Sequence, residues 1–197
     1  MTIMADRKAK IARKTNETDI KLAINLDGAG SYEINTGIGF LDHMLCHLSK
    51  HGKIDMNLTA KGDLEVDQHH TVEDVAICIG QALTDALGDK KGIARYGNSA
   101  VPMEDALASV AIDLSGRPFC VYNVQYRTEK IGDFDVECVE ELLRSFANYG
   151  KFNLHITVPH GTNSHHIAEA IFKALGQAMA QAVKITGKDI PSTKGSL

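Results

Sequence analysis

Alternating hydrophobic and polar residues predict several β-strands. Between residues 18 and 26 every second position is apolar: Ile20, Leu22, Ile24 and Leu26. That period is typical of a half-buried strand. Similar segments predict strands at residues 8–13, 54–60, 107–114, 119–126 and 152–158. The turn signal Asp27-Gly28-Ala29-Gly30 predicts that residues 31–35 return as a hairpin partner of the strand at 18–26. Residues 93–97 are predicted to form a loop or a short strand.

Longer apolar segments with polar breaks predict four helices. They cover residues 40–51, 69–87, 135–148 and 165–185. Glycines at positions 52, 88 and 150 follow the first three helices, as expected of residues that end a helix.

The motif His-His-x-x-Glu occurs twice, at residues 69–73 and 165–169. Each copy follows a glycine-led polar turn and opens an alanine-rich helix that contains Gly-Gln-Ala, at residues 80–82 and 176–178. Both motifs recur after 96 residues, which indicates an internal duplication. We therefore predict two α/β repeats, residues 1–92 and 93–197, within one compact domain.

The two motifs have the chemistry of a metal site. Residues three and four apart share a face of a helix, so Glu73 lies over both His69 and His70. The two histidines point about 100° apart, and each would therefore serve a different ion. Imidazole and carboxylate ligands without thiolate suit manganese, iron, cobalt, nickel or zinc. The alternative is a merely polar first helical turn, where the helix dipole favours glutamate.

Three further histidines fall at helical spacing, at positions 43, 47 and 51. At least one is predicted to bind metal, with His43 the first choice, and His47 is a candidate substrate contact. Each could instead be a structural histidine. If the repeats are aligned with a two-residue gap, Glu141 falls opposite His43. Glu141 is therefore either a ligand that replaces imidazole or a solvated helix residue.

The composition is that of a globular protein. The chain has 197 residues, 44% of them hydrophobic and 23% charged. Its net charge of −4 does not favour a nucleic-acid-binding surface. Four separated cysteines without a CxxC pair favour reduced thiols in a cytoplasmic protein. No apolar run reaches the roughly 18 residues of a membrane span, and the N-terminus has no secretory signal.

The C-terminal segment Ser192-Thr193-Lys194-Gly195 offers hydroxyl groups and an ammonium group, which are donors that a phosphate needs. Arg95 and Arg117, each beside a glycine in a predicted loop, provide two further cations. The alternative is that all three cations are solvated side chains.

These motifs together resemble the imidazoleglycerol-phosphate dehydratase family. The resemblance extends over essentially the whole chain and rests on the segments that begin at Thr36 (TGIGFLDHM), Asp67 (DQHHTVED), Gly161 (GTNSHHIAEAIFKA) and Pro191 (PSTKG). It implies an α+β fold of two duplicated half-domains, each a four-stranded sheet with helices on one face, the helices packed between the sheets. It also implies trimers assembled into a 24-mer, with two Mn²⁺ ions per active site completed across subunits.

The resemblance further implies the reaction and its residues. The reaction removes water from imidazole glycerol phosphate to give imidazole acetol phosphate in histidine biosynthesis. The implied metal ligands are His43, His69, His70, Glu73, His165, His166 and Glu169, with Glu141 where the family commonly has a histidine. The implied substrate contacts are Glu17, Arg95, Arg117, Ser192 and Lys194, with His47 in place of a family glutamine. Glu17 is the candidate acid/base, and the ligands His43, Glu73 and Glu169 complete the predicted catalytic set.

Two other functions are compatible with a histidine-rich metal site. A two-metal hydrolase would rely more on bridging carboxylates, and the chain lacks the HExxH motif of zincins. A protein whose metal ions only join subunits would not need the predicted phosphate donors. Binding of a phosphorylated imidazole would separate these alternatives.

Overall fold

The computed structural model describes residues 7–197, so the first six residues of the first predicted repeat lie outside it. The four helices are α1 (Gly39–Gly52), α2 (His69–Leu87), α3 (Glu137–Gly150) and α4 (Ser164–Ala182). The strands are β1 (Lys8–Lys14), β2 (Thr18–Asn25), β3 (Tyr32–Asn35), β4 (Asp55–Gly62), β5 (Tyr96–Met103), β6 (Ala106–Asp113), β7 (Phe119–Asn123), β8 (Lys130–Ile131), β9 (Phe134–Asp135) and β10 (Asn153–His160).

The strands form two four-stranded sheets with the same topology. One sheet has the order β1-β2-β4-β3 and the other β5-β6-β10-β7. In each sheet the last strand pairs in parallel with its neighbour, while the remaining pairs are antiparallel. The predicted repeat boundary, between residues 92 and 93, falls in the link between α2 and β5.

The predicted hairpin between residues 18–26 and 31–35 is wrong. Strand β3 pairs in parallel with β4 and is not a neighbour of β2. The Asp55 carboxylate accepts hydrogen bonds from the backbone N–H groups of Ala29 and Ser31, both at 2.9 Å. These contacts lead the chain past the end of β4, so that it reaches the far side of that strand.

Two other predictions from the pattern were incomplete. Strand β5 continues to Met103, well beyond the loop or short strand predicted at residues 93–97. The short hairpin formed by β8 and β9 was not predicted. Two-residue strands are too short to show an alternating pattern, and β5 contains Gly97 and Pro102, residues that disfavour a strand assignment.

The four helices lie between the two sheets. Helix α2 packs on β1 and β2, and α4 on β5 and β6, while α1 packs against α4 and α3 against α2. The buried apolar residues of both repeats therefore form a single core. The two four-stranded sheets with helices between them confirm the predicted α+β fold.

The helix N-termini gather at one end of the molecule. The Phe40 ring of α1 lies 5.1 Å from that of Phe134, just before α3, and 5.3 Å from that of His165 in α4. Gln68, just before α2, donates a hydrogen bond to the carbonyl of Asp133. This arrangement brings the histidine motifs of both repeats to the same end. No helix within residues 7–197 has the length and apolarity to cross a membrane, and the cytoplasmic location stays a prediction.

Candidate metal centre and anion cleft

Two histidines of α1 converge on one carboxylate of α4. His43 Nε2 lies 2.7 Å from Glu169 Oε1, and His47 Nε2 lies 3.1 Å from the same oxygen. The two ring nitrogens are 3.3 Å apart. Within the part of the chain that the structure describes, these three residues form the one group of His, Cys, Asp or Glu side chains close enough to share an ion.

The charge of Glu169 is maintained by its neighbours. Lys173, one helical turn further along α4, donates to Glu169 Oε2 at 2.9 Å. Burial opposes ionisation of this carboxyl, but the hydrogen bonds from Lys173 and the two histidines outweigh it, so that the pKa lies well below its usual value. The sequence reasoning missed Lys173, although its spacing from Glu169 is that of a helical ion pair.

The second histidine of each His-His-x-x-Glu motif, His70 or His166, faces a carboxylate through its Nδ1 atom. His70 Nδ1 lies 3.0 Å from Asp63 Oδ2, and His166 Nδ1 lies 2.7 Å from Asp105 Oδ1. A carboxylate only accepts, so each Nδ1 donates its proton, and in the neutral imidazole Nε2 keeps a free lone pair. Histidines that bind metal usually have such a partner for the other nitrogen. Neither Asp63 nor Asp105 was predicted, because they are not equivalent in the two repeats.

Asp105 also organises the loop before α4. Its Oδ2 accepts hydrogen bonds from the backbone and hydroxyl of Thr162, at 2.5 and 2.6 Å, and from the N–H of Asn163 at 2.9 Å. The hydrogen bonds from Thr162 and His166 hold the pKa of Asp105 well below its usual range. Asn163 in turn caps α4 by accepting from the N–H groups of His165 and His166.

His165 belongs to the α1/α4 cluster. Its Nε2 lies 3.4 Å from Glu169 Oε1, and its ring centroid is 5.7 Å from that of His43. The structure therefore brings together four of the predicted site residues, namely His43, His47, His165 and Glu169.

The α2 motif is less complete within one chain. Glu17 Oε1 lies 3.9 Å from His70 Nε2, which places the candidate acid/base beside a predicted ligand. The side chains of His69 and Glu73 make no hydrogen bond or ion pair with residues 7–197. Glu141 accepts a hydrogen bond from Ser145 at 2.8 Å, within α3. The ligand roles of these residues stay predictions.

The predicted phosphate contacts line one cleft of about 550 Å³: Arg95, Arg117, Ser192 and Lys194, together with Tyr96, Pro191 and Thr193. Arg95 forms a bidentate pair with Asp113, at 2.7 and 3.1 Å, and donates to the carbonyl of Pro191 at 2.9 Å. The side-chain cations of Arg117 and Lys194 have no partner among residues 7–197. The cleft therefore has a cationic surface, in which Asp113 and Pro191 hold the Arg95 side chain in place.

The cleft and the histidine cluster lie at opposite ends of the second sheet. Asn153, the first residue of β10, pairs with Asp113 and donates to the carbonyl of Arg117 at 2.6 Å. The last residue of β10 is His160, and α4 begins four residues later. Eight strand residues span about 25 Å, so one small molecule does not reach both sites of the same chain.

The donor set of the cluster fits a divalent metal ion. Metal bonds to imidazole nitrogen and carboxylate oxygen are about 2.0–2.2 Å long. Adjacent ligands of such an ion are then about 2.8–3.1 Å apart in octahedral geometry and about 3.3–3.6 Å apart in tetrahedral geometry. The contacts around Glu169 Oε1, from 2.7 to 3.4 Å, lie close to these ranges. Two imidazoles and a carboxylate are ligands for Mn²⁺, Fe²⁺, Co²⁺, Ni²⁺ or Zn²⁺.

Comparisons with known proteins identify the family. The family described as imidazoleglycerol-phosphate dehydratase matches residues 36–179. Imidazoleglycerol-phosphate dehydratase of Bacillus licheniformis is 56% identical over 193 residues, 97% of this chain and 100% of the relative. That of Cereibacter sphaeroides is 55% identical over 194 residues, with the same coverage.

Solved structures give the same result. The crystal structure of imidazoleglycerol-phosphate dehydratase from Staphylococcus aureus has a TM-score of 0.83 and 38% identity, covering 91% of this chain and 99% of that one. The structure of the Pyrococcus furiosus protein, in complex with (S)-C348, has a TM-score of 0.84 and 37% identity, covering 95% and 100%. Both the family match and the near full-length identity show that this chain belongs to the imidazoleglycerol-phosphate dehydratase family and is a lyase.

Proposed function

We propose that this protein catalyses the metal-dependent dehydration of D-erythro-imidazole glycerol phosphate to imidazole acetol phosphate in histidine biosynthesis. The observation that supports it most is the convergence of His43, His47 and Glu169 on one point at the end of the molecule where both His-His-x-x-Glu motifs lie. Family membership supplies the substrate class, and the residues supply the chemistry.

The proposed metal ligands come from three helices. His43, His165 and Glu169 would hold one ion, and His69, His70, His166 and Glu73 would supply ligands that no single chain completes, with Glu141 of α3 as a further candidate. Two bound Mn²⁺ ions would polarise the imidazole ring and stabilise negative charge on it. In the neutral imidazoles, Asp63 and Asp105 would hold the proton on Nδ1 of His70 and His166 and leave each Nε2 available to an ion.

Glu17 is the proposed acid/base. The reaction removes hydroxide from the carbon attached to the ring and a proton from the next carbon, which gives an enol that becomes the ketone of imidazole acetol phosphate. That carbon-bound hydrogen is a weak acid, and the elimination requires both charge stabilisation in the ring and a nearby base. Glu17 lies in the link between β1 and β2, 53% exposed, with Oε1 3.9 Å from His70 Nε2. A carboxylate there would meet a substrate held at the α2 motif, take the carbon-bound proton, and return a proton to the departing hydroxyl.

The cationic cleft is proposed to hold the phosphate group. Arg117 and Lys194 offer cations without a partner in the described part of the chain, Ser192 offers a hydroxyl, and Arg95 is positioned by Asp113. Phosphate oxygens favour such charge-assisted donors.

The separation of the cleft from the histidine clusters supports a shared active site. The two lie about 25 Å apart along β10, and imidazole glycerol phosphate is far shorter. A second copy of the chain must therefore bring its cleft, or its motif, to the first. His69 is exposed, and the Glu73 side chain has no hydrogen-bond or ion-pair partner among residues 7–197. Both features are consistent with completion by another subunit, as are the trimers and the 24-mer expected for this family.

The test is product formation from imidazole glycerol phosphate by metal-stripped protein, with and without added Mn²⁺. The expected result is dehydration only after metal is restored, by protein that elutes as a large homo-oligomer. Folded, metal-loaded and assembled protein that forms no imidazole acetol phosphate would contradict the proposal.

A further inference from the structure

His47 takes part in the metal cluster in a way that a substrate contact does not require. Its Nε2 lies 3.1 Å from Glu169 Oε1 and 3.3 Å from His43 Nε2. The side chain is 18% exposed, against 45% for His43. The nitrogen that would meet a substrate is thus directed toward the carboxylate and away from open solvent.

The spacing of the two histidines on α1 is that of a helical metal chelate. Residues four apart lie one above the other on a helix, and paired histidines at this spacing bind zinc in metalloproteases. Here the spacing of four residues places the Nε2 atoms of both His43 and His47 next to Glu169 Oε1. Their ring centroids are 4.5 Å apart in an edge-to-face arrangement, which aims both Nε2 atoms at the same volume.

The three ligand atoms also have the separations of one face of a coordination polyhedron. The distances of 2.7, 3.1 and 3.3 Å between His43 Nε2, His47 Nε2 and Glu169 Oε1 are near those expected for adjacent ligands of one ion. Small rotations of the three side chains would make these three separations equal. A fourth ligand, His165 Nε2, lies 3.4 Å from the same carboxylate oxygen.

We propose that His47 Nε2 is a direct ligand of the divalent ion held by His43 and Glu169, in place of a contact to substrate. This inference rests on the metal dependence proposed above. One chain then supplies three imidazoles and one carboxylate to this ion, whereas the equivalent positions in α3 are Glu141 and Ser145. The two ions of the active site would differ, since the α1/α4 ion is richer in nitrogen.

A nitrogen-rich set of ligands changes the metal preference. Imidazole favours Zn²⁺, Co²⁺ and Ni²⁺, whereas carboxylate and water suit Mn²⁺. The α1/α4 site should therefore prefer Zn²⁺ or Co²⁺ over Mn²⁺ more strongly in the native protein than in His47→Gln, which carries the amide common in the family.

The experiment is a metal titration of the full-length, metal-stripped protein and its His47→Gln and His51→Gln variants. Co²⁺ binding is followed by its visible absorption, and Zn²⁺ by competition with a chelator. His51 is the matched control, because it lies one turn further along the same histidine stripe, beyond the group that shares Glu169. Thermal unfolding of the metal-free proteins checks that each variant folds.

His47→Gln is expected to weaken Co²⁺ and Zn²⁺ binding at one site by at least about tenfold, the lower end of what loss of even an outer partner of a ligand costs, and to change the Co²⁺ spectrum. His51→Gln should change neither. Unaltered affinity and spectrum in His47→Gln would overturn the proposal.

Coordination by His47 can also be measured directly in the native protein, without a substitution. In native protein labelled with ¹⁵N-histidine and loaded with Zn²⁺, the Nε2 resonance of His47 should move to the position of a coordinated nitrogen. A free or hydrogen-bonded Nε2 resonance would refute coordination. Neither readout uses dehydration, so loss of the proposed reaction with His47 coordination intact would count against the proposed function alone.

Discussion

Gly176 of α4 lies directly against Gly52 of α1. A Cβ atom on Gly176 would stand only 2.9 Å from the backbone nitrogen of Gly52 and 3.0 Å from the carbonyl oxygen of Leu48. The duplicated glycine, Gly80 of α2, has the same relation to α3, where its Cβ would stand 2.6 Å from the backbone nitrogen of Gly150. The glycine of the repeated Gly-Gln-Ala segment therefore sets how closely each motif helix approaches its neighbour.

Gly176→Ala should destabilise the protein. The added methyl group meets backbone atoms that cannot rotate away, and such overpacking costs about 1–3 kcal/mol. Chemical denaturation of the metal-free protein is the measurement. Gly187→Ala is the matched control, since nothing lies within 4 Å of its Cβ position. Equal midpoints for the two variants would show that α1 and α4 separate without cost.

Asp63→Ala should weaken metal binding although Asp63 is not a proposed ligand. Without the carboxylate at 3.0 Å from His70 Nδ1, the imidazole loses its fixed tautomer and orientation, which typically costs about 10–100-fold in affinity. A chelator competition titration measures the change. Glu65→Ala, in the same loop and exposed, is the control. A similar small loss in both variants would assign the effect to loop charge alone.

Glu17→Gln should lower kcat while leaving metal content and assembly unchanged. Positioned acid/base groups contribute about 10²–10⁴-fold to a rate, and the amide cannot exchange a proton. Steady-state kinetics, together with metal analysis of the same sample, tests this. Near-normal kcat would remove Glu17 from the mechanism.

Lys194→Ala should raise KM by about tenfold or more, with a smaller effect on kcat. A hydrogen bond to a charged group contributes about 1.5–3 kcal/mol, and the Lys194 ammonium is proposed to meet the phosphate. Lys188→Ala provides the comparison, because Lys188 is an exposed lysine outside the cleft. An unchanged KM in Lys194→Ala would show that the C-terminal segment does not bind substrate.

Asp55→Ala should destabilise the protein in a pH-dependent way. Hydrogen bonds from the backbone, first that of Ser31, lower the pKa of Asp55 below its ordinary value of 3.8. A depressed carboxyl pKa adds stability that is complete above about pH 5 and is lost as the pH falls through the folded-state pKa. The free energies of unfolding from urea titrations should differ by about 1 kcal/mol at pH 7, and the difference should shrink as the pH falls through the folded-state pKa, below 3.8. A difference independent of pH would contradict this account.

Much of the fold was predictable because its signals are local. Apolar alternation located β2, and glycine stops located the ends of α1, α2 and α3. The signal for the turn at residues 27–30 was also local, but the information that pairs β3 with β4 was not. That strand crosses to β4 because Asp55, distant in sequence, binds the turn, and no pattern within the turn contains this information.

The duplication is evident without a structure, since His-His-x-x-Glu and Gly-Gln-Ala both recur after 96 residues. The sequence also predicted which side chains could bind a metal ion or a phosphate group. Three relations emerge from the folded structure: Glu169 meets His43 and His47, Asp63 and Asp105 orient histidines from unrelated positions, and Lys173 joins the cluster. The contacts of Glu169 with His43 and His47 depend on how helices from different repeats pack, because contacts between residues more than 100 positions apart leave no periodic trace in one sequence. Asp63 and Asp105 reach their histidines from the segments before α2 and α4, and no periodic pattern shows the course of such segments.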